Sequence, residues 1–386
     1  MNLIKKYLNK KTIIFTMIAM LLLSSTTLAA GNIVKNPHES KYGKFVLGPE
    51  MKIPRYGHHA VLLDDGRVLV VGGGARPEIY DPEKNEFELL DQKKLGNINS
   101  AILLKNGNVF CVVATQATAY VKMYLPKENK IIITEGINHG MYNSSITLLQ
   151  DGRVLIAGGY AGMPFNRYVK EAYIFDPETR KIERTEDMSS GRRQHAGIVL
   201  DNGEVLIFGG AREDKKKITE IYNPKTGKFR DGKEFNADFY SYQIIKLANG
   251  DYLLVGGFED KKISSTDKVI YFDRKNNKFK KLTAKLSGQR GAHKTVLLKD
   301  GNVFIVGGVN TKGFTHAYLD TAEIYNSQSK KIDLAGKMYY PRSMLAAIVL
   351  KDGKVLITGG KQAGKKEKVS SSELFIPKYI NKEGHK

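Results

Sequence analysis

Four arginines recur at one position of the chain and could bind an anion together. Each lies eleven residues before a glycine that follows Asp or Asn; they are Arg55, Arg192, Arg290 and Arg342. Arginine stays charged at any physiological pH and holds a carboxylate through two parallel hydrogen bonds. The four could ring a pocket for an anionic ligand, or each could be buried against a carboxylate of a neighbouring repeat. The sequence leaves both alternatives open.

Three histidines share a second repeated position, eight residues before the same kind of glycine. They are His58, His195 and His293. Imidazoles that converge can bind a metal ion, but these three come from separate parts of the chain. A position that recurs in this way is typical of a structural hydrogen bond. We therefore expect neither a metal site nor a cofactor.

The single cysteine and the net charge narrow the possible classes of protein. Cys111 stands alone, which excludes an intramolecular disulfide framework and any zinc or iron–sulfur site that needs two thiols. An excess of 61 Lys and Arg over 40 Asp and Glu gives a net charge of +21, which favours acidic partners or anionic surfaces. No nucleic-acid motif accompanies this charge, so we predict no nucleic-acid partner.

These residues belong to a unit that occurs seven times. Each unit has an apolar run, an Asp-Gly or Asn-Gly turn, a second apolar run, a Gly-Gly pair and an aromatic strand that ends in another turn. Unit two has Val113-Ala114 in place of the pair, and the other six pairs are Gly72-Gly73, Gly158-Gly159, Gly209-Gly210, Gly256-Gly257, Gly307-Gly308 and Gly359-Gly360. Such turns between apolar runs predict hairpins, so each unit predicts four antiparallel strands. The pattern predicts an all-β fold, a seven-bladed β-propeller in which the glycines let blades approach closely.

The fourth strand of unit seven is missing after the last repeat but matches a segment near the N-terminus. Phe45 and Met51 stand six residues apart, as Ile332 and Met338 do at the fourth strand of unit six. We predict that this N-terminal strand completes the seventh blade. The propeller would then cover residues 42–379 and leave no open sheet edge.

The repeat resembles that of the kelch family, whose mark is a Gly-Gly pair after the second strand with an aromatic residue further on. Kelch units commonly carry Trp near the start of the fourth strand, whereas this chain has no Trp and places Phe or Ile there. The resemblance implies a propeller of four-stranded blades. The family includes copper radical oxidases similar to galactose oxidase, which need an adjacent Tyr-His pair that this sequence lacks. It also includes a bacterial enzyme that mutarotates sialic acid.

Residues 1–29 have the pattern of a secretory signal peptide. Four lysines precede an apolar run from Ile13 to Leu23, and small side chains at Thr27 and Ala29 suit a signal peptidase. We expect cleavage after Ala29 or one residue later; the alternative is an uncleaved anchor. The protein would then be secreted, periplasmic or associated with the cell envelope, where loop lysines such as Lys215–Lys217 could hold it to an anionic polymer.

The connection between the second and third strands varies most in length, and variable loops on a rigid scaffold often carry binding. From the second glycine of the pair to the third-strand aromatic there are 7 residues in unit one, 16 in unit three and 17 in unit six. The two long loops offer Tyr160, Phe165, Arg167, Tyr168, Phe314, His316 and Tyr318. This mixture of aromatic and basic side chains suits sugar or peptide recognition.

The sequence therefore predicts an exported, monomeric binding module whose ligand is a glycan, an anionic polymer or an acidic protein segment. Two alternatives stay open. One is a carbohydrate-active enzyme such as a sialic acid mutarotase, although the acids of the variable loops are scattered and suggest no acid–base pair. The other is a structural component of the envelope.

Overall fold

The computed structural model describes residues 36–91, 98–115, 117–214, 218–235, 239–259, 264–363 and 368–380. The predicted signal peptide and Lys215–Lys217 lie outside these residues. The segment from His38 onward forms one compact unit. In the part of the chain that is described, no helix combines the length and apolarity needed to cross a membrane.

The described chain is built from short strands, and all of their pairings are antiparallel. In chain order the strands are β1 (Gly43–Leu47), β2 (His58–Leu62), β3 (Val68–Gly72), β4 (Ala75–Asp81), β5 (Glu86–Leu89), β6 (Ile98–Leu103), β7 (Val109–Ala114), β8 (Ala119–Leu125), β9 (Lys130–Ile137), β10 (Ser145–Leu148), β11 (Val154–Ala161), β12 (Arg167–Asp176), β13 (Lys181–Arg184), β14 (Arg192–Arg193), β15 (Ala196–Val199), β16 (Val205–Phe208), β17 (Ala211–Arg212), β18 (Ile218–Asn223), β19 (Lys228–Glu234), β20 (Phe239–Tyr240), β21 (Gln243–Lys246), β22 (Tyr252–Val255), β23 (Phe258–Glu259), β24 (Ser264–Ser265), β25 (Val269–Asp273), β26 (Lys278–Lys281), β27 (Lys294–Leu297), β28 (Val303–Val306), β29 (Val309–Lys312), β30 (Thr315–Tyr318), β31 (Thr321–Tyr325), β32 (Ile332–Lys337), β33 (Ala346–Val349), β34 (Val355–Thr358) and β35 (Ser372–Pro377).

Each repeat unit forms one sheet of four strands. The strand orders, from unit one to unit seven, are β2-β3-β4-β5, β6-β7-β8-β9, β10-β11-β12-β13, β15-β16-β18-β19, β21-β22-β25-β26, β27-β28-β31-β32 and β33-β34-β35-β1. In the last of these, β1 lies beside β35 with Phe45 opposite Phe375. The N-terminal strand β1 therefore pairs with β35, the last strand of the described chain.

The hydrophobic core lies between consecutive sheets. A typical cluster joins Phe110 of unit two to Ile156 and Phe175 of unit three, and another joins Val70 of unit one to Leu356 of unit seven. Within a sheet, the fourth-strand apolar residue packs on the third-strand aromatic, as Phe87 does on Tyr80 with ring centroids 4.9 Å apart. Phe or Ile thus fills the fourth-strand position where kelch units commonly have Trp.

The long connections of units three and six differ from the loops that the sequence suggested. In unit three, β11 and β12 continue past the glycine pair until Ala161 lies opposite Arg167. In unit six, β29 and β30 form a hairpin in a separate sheet of order β20-β23-β24-β29-β30. Strand-forming residues such as Tyr160 and Val309 flank tight turns here, so the segments pair as hairpins. We call them the unit-three and unit-six hairpins.

Candidate functional site

The segment that leads from one sheet into the first strand of the next is here called the lead-in segment. The position of the repeated arginines in this segment is called the arginine position. In units three to seven, the residue after it pairs with the residue after the glycine pair of the same unit. Tyr142 bridges Tyr160 in unit three, and Ser343 bridges Lys361 in unit seven. The lead-in segments and the second-to-third-strand connections therefore share one face, here called the upper face. The Asp-Gly and Asn-Gly turns lie on the lower face.

The four repeated arginines are buried in this part of the fold, each with an exposed fraction of at most 1%. Each forms an ion pair with a glutamate of its own sheet, and the pairs are Arg55–Glu78, Arg192–Glu220, Arg290–Glu323 and Arg342–Glu373. The structure has the second alternative from the sequence, in which each arginine is buried against a carboxylate. The prediction that this carboxylate belongs to a neighbouring repeat is wrong, however. The lead-in segment folds back over the third strand of the sheet that it enters, so the carboxylate does not come from a neighbouring repeat.

The glutamates also bind the backbone of the lead-in segment. Glu373 accepts hydrogen bonds from the amides of Tyr339 and Tyr340 at 2.8 and 3.2 Å, besides its bond from Arg342. Burial lowers the pKa of Arg342, while the charge of Glu373 raises it. Because the guanidinium and the carboxylate are both sequestered, a ligand could reach this arginine only by breaking the pair.

A signal for these pairs was present in the sequence. The four units that carry the arginine also have Glu two residues before the third-strand aromatic. The other three units have Lys122, Tyr173 and Ile270 there, and none has the arginine. This joint occurrence indicates an Arg–Glu pair within each unit.

The repeated histidines lie between consecutive sheets. His195 Nε2 lies 2.8 Å from Ser145 Oγ, and a Cβ added to Gly158 of the preceding unit would come within 2.7 Å of the His195 ring. His58 likewise has its Nε2 2.8 Å from Thr358 Oγ1. Burial lowers the pKa of His58, His195 and His293 well below the ordinary value. Within the described ranges, no three His, Cys, Asp or Glu side chains are grouped as metal ligands.

The glycine pairs contact the arginine position of the next unit. Gly360 donates its N–H to the Arg55 carbonyl at 2.9 Å, and a Cβ on Gly359 would lie only 2.5 Å from that oxygen. Gly257 and Arg290 repeat the first contact at 3.0 Å. The absence of a side chain therefore permits the approach of consecutive sheets.

The lead-in segments also carry residues in the left-handed backbone region two positions after the arginine position. They are Gly57, Asn143, Gln194, Ser241, Ala292 and Met344, with φ between 49° and 63°. Backbone bonds join consecutive members, since Met344 donates to the Ala292 carbonyl and Gly57 donates to the Met344 carbonyl, both at 2.8 Å. These bonds connect the lead-in segments of units six, seven and one.

The unit-three hairpin brings two of the predicted residues, Tyr160 and Tyr168, near Arg193, a cation that the sequence did not single out. The rings of Tyr160 and Tyr168 meet edge to face with centroids 5.9 Å apart, and the Arg193 guanidinium lies 5.2 and 5.5 Å from them. Burial alone would raise the pKa of Glu171, but hydrogen bonds from Arg167 lower it to about 2. Arg167 is thus occupied by a carboxylate of its own hairpin.

The other predicted residues of the long connections lie at exposed tips or on strands. Phe165 is 48% exposed, and Phe314, at the turn of the unit-six hairpin, is 95% exposed. His316 Nδ1 lies 3.1 Å from Thr311 Oγ1, and Tyr318 is half-buried. The structure therefore groups Tyr160 and Tyr168 but places Phe314 on a separate hairpin.

A second aromatic and cationic group was also missed. The ammonium groups of Lys361 and Lys368 lie 6.0 and 5.5 Å from the centroid of the Tyr56 ring. Tyr56 directly follows Arg55, at the position that holds Tyr142, Arg193 and Tyr240 in other units. The sequence signal for this group is therefore the aromatic or cationic residue that directly follows the repeated arginine position.

The sheets and their glycine-mediated contacts place the chain in the class of β-propeller proteins. Residues 139–360, more than half of the chain, match the family described as tRNA wybutosine-synthesizing protein 4, beta-propeller, and the chain belongs to that family. No curated protein matches the chain.

Solved structures that are similar to this chain include those of YjhT and of a fungal alcohol oxidase. The structure of YjhT has a TM-score of 0.56 and 15% sequence identity, and the match covers 84% of this chain and 95% of that one. A fungal alcohol oxidase of the AA5 family, in complex with copper, has a TM-score of 0.49 and 16% identity, with 72% of this chain and 73% of that one covered. At its level of identity, the likeness to YjhT shows the fold alone.

Proposed function

We propose that the protein is an exported kelch-type propeller of seven blades, with β1 as the fourth strand of the last blade. The glycine pairs, the seven four-stranded sheets and the pairing of β1 with β35 support this architecture. The clusters between consecutive sheets, including the one between units seven and one, support a closed ring.

On this scaffold the protein acts as a binding module whose ligand lies on the upper face. The observation that carries this proposal is the exposure of Phe165 and Phe314 on two hairpins of that face, together with Arg193 held over Tyr160 and Tyr168. Exposed aromatic rings stack on the apolar faces of sugars, and nearby cations attract acidic groups. Glycans, anionic polymers and acidic protein segments are therefore the ligand classes.

The lower face offers a weaker candidate. A depression of about 310 Å³ between units three and four is lined by turn residues that include Asp151 and Glu204. Asp151 lies 2.7 Å from Arg153, and Glu204 lies 2.8 Å from Arg230. These charges are already paired on exposed turns, so they favour a stable turn over recognition of a ligand.

The ion pairs of the carboxylates on the upper face favour a binding role over catalysis by proton transfer. Glu171, Asp214, Glu259 and Asp320 form ion pairs with Arg167, Arg212, Lys268 and Lys337, respectively. A general acid or base must exchange a proton during each turnover, and a carboxylate in an ion pair resists protonation. A sialic acid mutarotation assay tests the enzyme alternative directly.

A screen of the chain against arrays of glycans, acidic polymers and acidic peptides tests the binding proposal. The double variant Phe165→Ala/Phe314→Ala should lose most of the binding, while Leu334→Ala, an exposed apolar residue of β32, should keep it. Equal binding by both variants would contradict an upper-face site. Binding to nothing on the arrays would favour the structural envelope role.

A further inference from the structure

One cation near the inner edge of the sheets differs from the arginines. Lys294 opens β27, the first strand of unit six, four residues after Arg290. This strand lies beside the first strands of units five and seven, β21 and β33. Lys294 is half-buried there, so part of its surface is accessible to solvent.

Lys294 has no carboxylate partner among the described residues. The ion pairs and hydrogen bonds of the described chain satisfy Arg290 through Glu323, but they include no partner for the Lys294 ammonium. Burial lowers the pKa of Lys294. A partly buried ammonium without a counter-charge is unfavourable and attracts an anion.

The groups that face Lys294 add no negative charge. Burial lowers the pKa of His59 to about 4, and the Lys294 ammonium acts in the same direction. His58 and His293, whose pKa values are also lowered chiefly by burial, are within its electrostatic range as well. His58 and His59 lie on β2 of unit one, with β33 of unit seven between β2 and β27. The charge of Lys294 therefore acts across β33 on the histidines of unit one.

We propose that Lys294 binds one carboxylate group at the inner edge of the sheets. This rests on the proposed function and assigns the ligand a carboxylate that enters from the upper face, where the first strands begin. A carboxylate carries the single negative charge that one ammonium compensates. The neutral His59 imidazole adds no second cation, so a phosphate dianion would keep an uncompensated charge.

Nuclear magnetic resonance of the full chain, with its lysines ¹³C-methylated, tests the site with sodium acetate as the probe. The spectrum of Lys294→Met assigns the Lys294 signal, and the exposed Lys281 serves as the control. Acetate should raise the Lys294 titration midpoint by roughly 0.5–1 pH unit over sodium chloride at equal ionic strength, because an opposite charge in contact favours the ammonium. The Lys281 midpoint should not move.

The His59 ring signal gives a second measurement, assigned with His59→Gln. Sodium trifluoroacetate is the probe for this residue, because acetate is largely protonated near pH 4. The His59 midpoint should rise, since a bound carboxylate would favour the protonated ring. Equal midpoints in the carboxylate salt and in chloride for both residues would overturn the proposal. An effect of phosphate larger than that of acetate would overturn the carboxylate assignment. This experiment needs no natural ligand. If the array screen finds no ligand while acetate still raises the Lys294 midpoint, the result contradicts the proposed upper-face site and leaves the carboxylate site standing.

Discussion

Arg342 Nη2 lies 2.9 Å from Oε1 of Glu373, and neither side chain is exposed to solvent. The same pair of residue types occurs in units one, four and six. Each pair joins a lead-in segment to the third strand of the sheet that follows it. The arginines that first suggested a ligand pocket thus hold the segments from which the upper face is built.

Replacement of one residue of a buried Arg–Glu pair should strongly destabilise the fold. We expect Arg342→Ala to lower the free energy of unfolding by about 3–5 kcal/mol, because it leaves the Glu373 carboxylate buried without a counter-charge. Chemical denaturation measures this change. The control is Arg67→Ala, which removes an ion pair whose side chains are 41% and 45% exposed, and should cost no more than about 1 kcal/mol. Equal effects of the two variants would contradict a structural role for the buried pair.

Gly359 should not tolerate a side chain. Its φ is +54°, and a Cβ would lie 2.5 Å from the Arg55 carbonyl of unit one. We expect Gly359→Ala to destabilise the fold by about 1–3 kcal/mol. Gly288→Ala is the matched control, because a Cβ there meets nothing within 4 Å. Equal melting temperatures of Gly359→Ala and the control would contradict this prediction. They would show that the two sheets can move apart at this contact without loss of stability.

Stability should fall in mildly acidic solution. Burial lowers the pKa of His195 well below its ordinary value and that of His59 to about 4. The unfolded chain therefore binds more protons, and stability is lost as pH falls below about 6.5, by up to about 1.4 kcal/mol per pH unit for each histidine. Denaturation midpoints between pH 7 and pH 5 measure the slope, which His195→Gln should reduce. An unchanged slope in that variant would contradict the burial of a neutral imidazole.

The N-terminal strand should be needed for cooperative folding. Deletion of residues 30–51 removes β1 and leaves the edge of β35 without its partner. We expect a lower melting temperature and a broader transition, since a repeat array depends on the interfaces between neighbours. A truncated chain that melts like the full one would argue against a closed ring.

Much of the fold could be predicted from local signals. Asp65-Gly66 and its equivalents specify hairpins, and the spacing of Phe45 and Met51 predicted the strand that pairs with β35. The unit-six hairpin could not be predicted, because its sheet combines strands from units five and six whose pairing depends on tertiary placement.

The candidate site was predicted less well, for a similar reason. The sequence singled out arginine by type, but the partner of Arg55 is Glu78, on the third strand of the same unit. Burial decides whether such a cation is available, and spacing alone does not report burial. Arg193 and Lys294 occupy repeat positions that other units fill with uncharged residues, so they carried no periodic signal.

The central claim is that exposed upper-face aromatics bind the ligand while the repeated arginines hold the fold. The most direct test measures affinity and melting temperature together for Phe314→Ala and Arg342→Ala, using a ligand from the array screen. We predict a lower affinity with unchanged melting for Phe314→Ala, and a lower melting temperature with nearly unchanged affinity, measured below the transition, for Arg342→Ala. An Arg342→Ala chain that melts normally but loses the ligand would contradict the claim and place the pocket at the arginines.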